Sequence, residues 1–379
     1  MSLFFPTSGA DIVTDMPRLH ALVIGVDAYD HLGLGVPKPS NLLSGLAPLT
    51  IAVPSARNIA RWLENAYHNP DCPLGSIELL LAPGEILKRK DGSDAAIDKS
   101  TMANIETAAA AWYQRCNANP KNIAFFYFAG HGISTVVGRY ILPADFGNPD
   151  LPDDWKNCID AGGLQVGMNK CKAQHQYFFL DACRDAPVEA LLQKKPHGNP
   201  LIGGADNEDN VELSAEYAAA SEGRQAFGKD GGGTFFSEAL IMCLNGMGAN
   251  QRGGKKIWRV DAASLSYGLA NVMELIAERE NLPLSCDCRM QKPVSLHFPA
   301  LGQVLVRVNC LVEGMQHESN ITLTQGNTVK NSPPGGPRPW IESAISGDAT
   351  ISVKYTNFPD ETIKDSLLPP VYDLELPYE

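Results

Sequence analysis

The chain has 379 residues, of which 44% are hydrophobic and 20% are charged, and its formal net charge is −12. The length predicts two unequal domains rather than one core, and the composition is typical of a globular protein in water. No stretch reaches the roughly 18–20 apolar residues of a membrane helix, and no lysine and arginine cluster could follow a phosphate backbone. We therefore expect neither a membrane nor a nucleic acid as a partner.

The cysteines favour a reducing compartment. Nine of them, an odd number, are spread over the whole chain, which is a poor disulfide framework. Cys286 and Cys288 form a C-x-C pair, but no second Cys/His pair lies at zinc-finger spacing, so we predict ordinary thiols, no metal site and no cofactor. The N-terminal segment lacks a basic stretch followed by a long apolar one, so we expect no secretion signal and a cytoplasmic location.

Apolar runs and helical periodicities alternate along most of the chain. The predicted elements are a strand at 20–26, a helix that Ser55 caps, a strand at 77–83, a helix from Ser100 or Thr101 to about Cys116, and strands at 122–132 and 176–183. This alternation predicts an α/β fold with a mostly parallel sheet flanked by helices. The last two strands are apolar on both faces, which predicts central positions in the sheet.

The second half of the chain has a different texture. Residues 186–212 are rich in Pro, Gly, Asn and charges, and predict a long mobile loop. Helices are predicted next, over about 234–244 and 261–280. From about residue 300, β-type segments alternate with turn clusters and helical patterns are absent. We therefore predict two domains, 1–298 and a smaller, sandwich-like all-β domain over 299–379.

A histidine and a cysteine lie at the carboxyl ends of the two predicted central strands. His131 lies in the segment AGHG and Cys183 in DACR. The carboxyl ends of neighbouring parallel strands meet at one sheet edge, where ligands bind in such folds. A thiol needs a base beside it to become a nucleophile, and an imidazole is suited to that task. The amides of Gly132 and Cys183 are the candidates to bind the oxyanion that would develop.

Six motifs carry a resemblance to the caspase and metacaspase superfamily, in particular to its prokaryotic members. They are HALVIGVDAY (20–29), FFYFAGHG (125–132), YILPADF (140–146), YFFLDACRD (177–185), AAASEGRQAF with GGTFFSEALI (218–241) and QKPVS (291–295). His131 precedes Cys183 by 52 residues, close to the roughly 50 of caspases. The resemblance, over about 18–298, implies a caspase-like peptidase domain and a His131–Cys183 dyad. It also implies a regulated endopeptidase, and a role in defence or cell death is what such prokaryotic proteins often have.

Two departures bear on specificity. Caspases have Gln two residues before the cysteine, whereas this chain has Asp181, as metacaspases do. Metacaspases also have an acid in the first helix, where this chain has Ser55. If Asp181 and Ser55 line the S1 pocket, a charge-assisted hydrogen bond to Asp181 would favour Arg or Lys at P1. With one acid missing at position 55, that preference would be weakened or shifted. The alternative is that Asp181 orients the backbone near Cys183.

The loop after the cysteine holds a candidate cleavage bond, Lys194–Lys195. A peptidase that prefers a basic P1 residue would accept it, whereas Pro196 makes the next bond a poor target. Cleavage would release both ends of the loop to rearrange. The alternative is a surface loop with two solvated lysines.

Two other functions remain open. The chain would be an interaction protein if the C-terminal β-domain were its working part, or an enzyme closer to legumain or gingipain. The intact His131 and Cys183 favour the peptidase over the first, and the ACR tripeptide favours it over the second. A protein substrate is the expected partner, and a regulatory protein bound by the C-terminal domain is a further hypothesis.

Overall fold

The structure is a computed structural model that describes residues 2–6, 8, 15–40, 43, 46–135, 138–153, 155–182, 196–203, 211–219, 227–229, 231–251, 257–289, 294–311, 319–334, 336 and 339–376. The chain divides into two compact units. The first is Met1–Ile241 with Met273–Leu296, and the second is Met242–Val272 with His297–Glu379. The division at 298/299 that the sequence suggests stays a prediction.

The strands are β1 Leu3–Phe5, β2 Leu19–Val26, β3 Leu74–Ala82, β4 Ile86–Lys88, β5 Asp94–Ala96, β6 Ile123–Gly130, β7 Gly132–Ser134, β8 Arg139–Ile141, β9 Ile159–Asp160, β10 His175–Ala182, β11 Leu213–Ala218, β12 Gly228–Lys229, β13 Gly233–Thr234, β14 Asn250–Gln251, β15 Trp258–Asp261, β16 Asp287–Arg289, β17 Ser295–His297, β18 Gln303–Cys310, β19 Ser319–Gln325, β20 Thr328–Asn331, β21 Trp340–Ile345, β22 Gly347–Tyr355, β23 Glu361–Leu367 and β24 Val371–Leu376. The helices are α1 Ala52–Asn65, α2 Met102–Cys116, α3 Ala161–Met168, α4 Phe235–Met242 and α5 Ala262–Glu280, and a π-helical turn covers Cys243–Met247. No helix in the described part of the chain is long and apolar enough to cross a membrane.

A seven-stranded sheet forms the centre of the first unit, in the order β1-β3-β2-β6-β10-β11-β16. The five inner strands run parallel, and only the short edge strands β1 and β16 are antiparallel to their neighbours. All eight residues of β6 are buried, as expected for a strand with helices on both sides. The predicted mostly parallel sheet is therefore confirmed.

Helices cover the two faces of this sheet. On one face, α2 contributes Trp112 to an apolar cluster that contains Phe126 and Phe178 from the central strands. On the other face, α1 packs so closely on β2 that a Cβ atom at Gly25 would lie 2.8 Å from the Cβ of Ala56. Alternate residues of each inner strand thus enter different layers.

The start of α1 corrects the prediction for Ser55. The helix begins at Ala52, so Ser55 lies inside it, and its hydroxyl donates to the Ile51 carbonyl at 2.7 Å. The helix N-terminus is instead capped from a distance. The amides of Ala52 and Val53 donate to the two carboxylate oxygens of Asp27 at 2.8 and 3.1 Å. An acceptor 25 residues away thus takes the place of a local cap.

Part of the predicted loop 186–212 is packed against the fold. Residues 196–203 and 211–212 are described. Asn199 forms a parallel bridge with Ile159, and Ile202 is buried. Tyr140 donates its hydroxyl to the Pro196 carbonyl at 2.9 Å. The prediction of a mobile loop is therefore wrong for 196–203, because these residues have backbone partners and a buried side chain.

The second unit contains a β-sandwich. Its two sheets have the orders β21-β18-β24 and β20-β19-β22-β23. One apolar cluster takes Val306 from the first sheet and Ile321 and Val353 from the second, so the sheets face each other. In β22, buried residues alternate with more exposed ones, which is the pattern of a strand with one wet face. The predicted smaller all-β part of the fold is confirmed.

Candidate active site

The strands β6 and β10 bring the two predicted catalytic segments together. They are hydrogen-bonded neighbours, and their register pairs Ala129 with Asp181 and Gly130 with Ala182. His131 follows Gly130 directly, and Cys183 is the next residue after Ala182 in the sequence. Cys183 itself lies outside the described residues, as do Lys194 and Lys195.

The His131 side chain is held by a backbone carbonyl. Its Nε2 atom lies 2.8 Å from the Ala47 carbonyl oxygen. A carbonyl oxygen only accepts hydrogen bonds, so this contact assigns the proton of the neutral imidazole to Nε2. The basic lone pair is then on Nδ1. The arrangement therefore leaves Nδ1 to take a proton from a nucleophile.

Burial also suits His131 to act as a base. Desolvation lowers the pKa of His131, and the Ala47 carbonyl opposes that shift in part by stabilising the protonated ring. The side chain is consequently neutral over a wider pH range than a histidine in water. A neutral imidazole is the form that can accept a proton.

The main chain of His131 has a second partner. Its N–H donates to the Tyr29 hydroxyl oxygen at 2.7 Å, and the two rings are tilted by 37° with centroids 5.0 Å apart. Both Tyr29 and Ala47 belong to the segment between β2 and α1. This segment is anchored by Asp27, whose carbonyl accepts the Leu49 N–H at 2.8 Å.

Asp181 lies on one face of the pair of strands β6 and β10, and the apolar cluster with Trp112 of α2 lies on the other face. The exposed fraction of Asp181 is 1%. Its Oδ2 atom accepts hydrogen bonds from the Tyr127 hydroxyl at 2.5 Å and from the Thr234 hydroxyl. Its Oδ1 atom is buried and has no partner within the described ranges. Burial raises the pKa of Asp181 to about 6, against the opposing effect of the two hydroxyl donors.

Ser55 joins the same polar cluster through Thr234. The Ser55 hydroxyl oxygen accepts the Thr234 N–H at 2.8 Å and the Ser237 hydroxyl at 3.1 Å. Asp181 and Ser55, both predicted to bind substrate, are thus linked by one intervening residue. The cluster joins the end of β10 to α1 and to the start of α4.

Gly132 begins β7, immediately after His131. The register of β7 and β8 pairs it with Ile141. Together with Leu180 and Ala182, it lines a small cavity on the α2 side of the strand ends. The predicted oxyanion donor therefore borders open space next to the residue that precedes Cys183.

Comparisons with known proteins identify the family of the chain. The chain matches the family model of the caspase domain, peptidase C14, over residues 18–332. The chain belongs to the caspase domain family. It is also 30% identical over 316 residues to the uncharacterized protein y4kE of Sinorhizobium fredii, which covers 80% of this chain and 89% of that protein. Among solved structures, it is similar to caspase-1 from Spodoptera frugiperda, with 11% identity, a TM-score of 0.39, and coverage of 74% of this chain and 90% of the other.

Membership of the family gives the site a chemical type. A caspase domain is a cysteine peptidase fold, and its family match includes both His131 and Cys183. In the part of the chain that the structure describes, no group of His, Cys, Asp and Glu could hold a metal ion.

Several residues of this caspase domain were missed by the sequence argument. Ala47 acts through a backbone atom in a Pro- and Gly-rich segment, so no side-chain pattern could reveal it. Tyr29 is the last residue of the motif HALVIGVDAY, but the sequence does not indicate a hydrogen-bond partner for its hydroxyl. Tyr127 becomes visible only when the alternation of β6 and β10 is followed residue by residue, because Tyr127 and Asp181 lie on the same face. Thr234 lies on β13, and its contact with Asp181 spans 53 residues of sequence, so no periodicity indicates it.

Proposed function

We propose that the chain is a cysteine endopeptidase that cleaves protein substrates with His131 as the base and Cys183 as the nucleophile. The observation that carries this proposal is the hydrogen bond from His131 Nε2 to the Ala47 carbonyl, at the end of a strand in register with β10. Ala182, the residue before Cys183 in the sequence, is the register partner of Gly130, the residue before His131.

In the proposed mechanism, Nδ1 of His131 takes the proton of the Cys183 thiol. The thiolate attacks the scissile carbonyl carbon, and the amides of Gly132 and Cys183 donate to the resulting oxyanion. As the C–N bond breaks, the imidazolium returns its proton to the leaving amine. Water then attacks the thioester with His131 again as the base, and the carboxylic product leaves as the thiol is restored.

The proposal includes a preference for Arg or Lys at P1. Support comes from the Oδ1 atom of Asp181, a buried acceptor with no partner in the described part of the structure. A cationic side chain would give that oxygen a charge-assisted hydrogen bond and would compensate the carboxylate for its lost hydration. Ser55 acts in this proposal through Thr234, because it accepts the Thr234 N–H.

Self-cleavage at Lys194–Lys195 is the proposed regulatory step. A basic P1 preference would make this bond a substrate of the same site, and Pro196 would direct cleavage away from the following bond. The alternative of an uncut surface loop predicts a full-length chain in the active enzyme.

The test uses fluorogenic peptides that differ at P1, with wild type, Cys183→Ala and a Cys286→Ala control. We expect Cys183→Ala to abolish cleavage and Cys286→Ala, at a half-buried thiol outside the site, to retain it. Equal turnover by wild type and folded Cys183→Ala would contradict the proposal. Mass spectrometry of the same samples would reveal a terminus at Lys195 only in variants that keep Cys183.

Alkylation gives an assay that needs no peptide. Iodoacetamide reacts with thiolates, and Cys72 and Cys171 are silent at pH 6 because burial raises the pKa of Cys72 to about 12 and that of Cys171 to about 11. We expect Cys183 to be labelled at pH 6 faster than the half-buried Cys286 in the same sample. Labelling no faster than Cys286 would contradict an activated nucleophile.

A further inference from the structure

The Tyr29 hydroxyl contacts the main chain of His131 between the end of β6 and the start of β7, which pair with different strands. β6 ends at Gly130 and β7 begins at Gly132, so His131 lies between two pairings. Its N–H donates to Tyr29 Oη at 2.7 Å. Tyr29 is 5% exposed. A buried backbone N–H without a partner is unfavourable, and this hydroxyl supplies the partner that the ladder does not.

Gly130 makes this contact possible. A Cβ atom at position 130 would lie 2.9 Å from Tyr29 Oη and 2.9 Å from Cζ of Phe128. Both distances are shorter than real Cβ contacts, so any other residue would displace the hydroxyl, the Phe128 ring or the strand end. The glycine before the histidine therefore provides room for the tyrosine.

Two separate bonds from one segment thus hold His131. Ala47 binds its imidazole, and Tyr29 binds its amide. Further bonds anchor the segment that carries both partners, since Asp27 accepts from Leu49 and the amide of Asp30 donates to the Ala144 carbonyl at 2.7 Å. A side chain held only at Nε2 could swing about its own Cα, whereas fixing the amide also fixes the direction of Nδ1.

We infer that Tyr29 is a positioning residue, whose hydroxyl fixes the His131 backbone so that Nδ1 faces Cys183. This inference rests on the proposed function. It adds a residue that acts through His131 and binds neither the substrate nor the nucleophile. Removal of the hydroxyl should slow the chemical step and leave substrate binding unchanged, because the hydroxyls that bind Asp181 come from Tyr127 and Thr234.

The first test is a comparison of Tyr29→Phe with Tyr67→Phe. Tyr67→Phe also removes a hydroxyl that is bonded to the main chain, but this hydroxyl donates to the Cys72 carbonyl at 2.8 Å, at the opposite edge of the sheet. For Tyr29→Phe, we expect kcat to fall about 10-fold with KM within about 2-fold, since one hydrogen bond contributes roughly that factor. Tyr67→Phe should leave kcat unchanged. Equal kcat in Tyr29→Phe and wild type would overturn the inference.

Gly130→Ala provides a second variant that leaves Tyr29 intact. We expect it to reproduce the loss in kcat, and the double variant with Tyr29→Phe to be little worse than either single variant, because both remove the same contact. Fully additive losses would overturn the claim that Gly130 serves Tyr29. Melting temperatures measured beside the kinetics would confirm that each variant is folded.

Alkylation separates the two hypotheses. The rate of Cys183 labelling by iodoacetamide at pH 6 reports the thiolate that His131 maintains, with no peptide present. Slower labelling in Tyr29→Phe than in wild type and Tyr67→Phe supports the positioning role. Unchanged labelling, with wild type active and Cys183→Ala inactive, overturns this inference alone. Peptide cleavage that persists in Cys183→Ala overturns the proposed function instead.

Discussion

The ends of β6 and β10 lie side by side, and each carries a buried ionisable group that is held differently. At the end of β6, His131 is bound by a backbone carbonyl and, through its amide, by a tyrosine hydroxyl. Near the end of β10, Asp181 receives two hydroxyl donors on a single oxygen. In each case one polar atom of the side chain is bound, and the proposed function assigns the other to proton transfer or to substrate binding.

One physical effect shifts the two pKa values in opposite directions. Burial favours the neutral form of both groups, so it lowers the pKa of His131 and raises that of Asp181. A neutral imidazole is what a base requires. The hydrogen bonds from the hydroxyls of Tyr127 and Thr234 stabilise the carboxylate form of Asp181 and oppose the effect of burial in part.

Removal of the proposed base, His131, should have the largest effect and tests its side of this comparison. We expect His131→Ala to lower kcat/KM by about 10²–10⁴, the usual contribution of a general base. His20→Asn provides a control, since His20 is a buried histidine on the neighbouring strand, bound to the Ser76 hydroxyl at 2.8 Å. It should cost stability but not turnover. Near-wild-type kcat/KM in folded His131→Ala would contradict the assignment of the base.

Neutralisation of Asp181, near the end of β10, should lower kcat/KM less than removal of His131 and should do so selectively. We expect Asp181→Asn to lower kcat/KM by about 10–100-fold for peptides with Arg or Lys at P1, the range of a charge-assisted hydrogen bond. Peptides with Leu at P1 should change by only a few-fold. The measurement is a paired assay of both substrate types.

Glu78→Gln is a matched control for this variant. Glu78 is another buried carboxylate of the same sheet, paired with Arg115 instead of facing the site. It should leave the ratio of the two substrates unchanged. An equal loss on Arg and Leu substrates in Asp181→Asn would mean that the carboxylate only orients the backbone.

The pH dependence of this ratio sharpens the comparison further. Since the pKa of Asp181 is raised to about 6, the free enzyme holds this carboxyl largely protonated at pH 5 and largely ionised at pH 7. Because kcat/KM reports the free enzyme, the ratio for P1 Arg over P1 Leu should rise about 10-fold between these values. Titration of His131 affects both substrates and cancels. A flat ratio, or the same rise in Asp181→Asn, would contradict this assignment.

The sequence was informative wherever burial leaves a pattern. Strands that are apolar on both faces predicted the centre of the sheet, and the position of His131 and Cys183 at the carboxyl ends of two such strands predicted one common edge. The register of Gly130 with Ala182 confirms that β6 and β10 end together. The catalytic role of the two residues themselves stays a prediction.

What the sequence could not reveal depends on single long-range contacts. Ser55 was predicted to cap its helix locally, whereas the helix is capped by Asp27, which directly follows β2. The carbonyl of Ala47 and the hydroxyl of Tyr29 act at His131 across 84 and 102 residues of sequence. Neither contact follows from periodicity, because each depends on how an irregular segment crosses the strand ends.

The hold on Pro196 makes the proposed cut asymmetric. Tyr140 binds the Pro196 carbonyl, and Asn199 bridges to Ile159, so a cut at Lys194–Lys195 leaves Lys195 as the only residue ahead of the held backbone. The new amino terminus would thus lie one residue before the held backbone and would have little freedom to rearrange. The sequence analysis, in contrast, predicts that cleavage releases both ends of the loop. The product would be a two-chain molecule whose downstream chain remains docked, and any rearrangement would come from the carboxyl terminus on the Cys183 side.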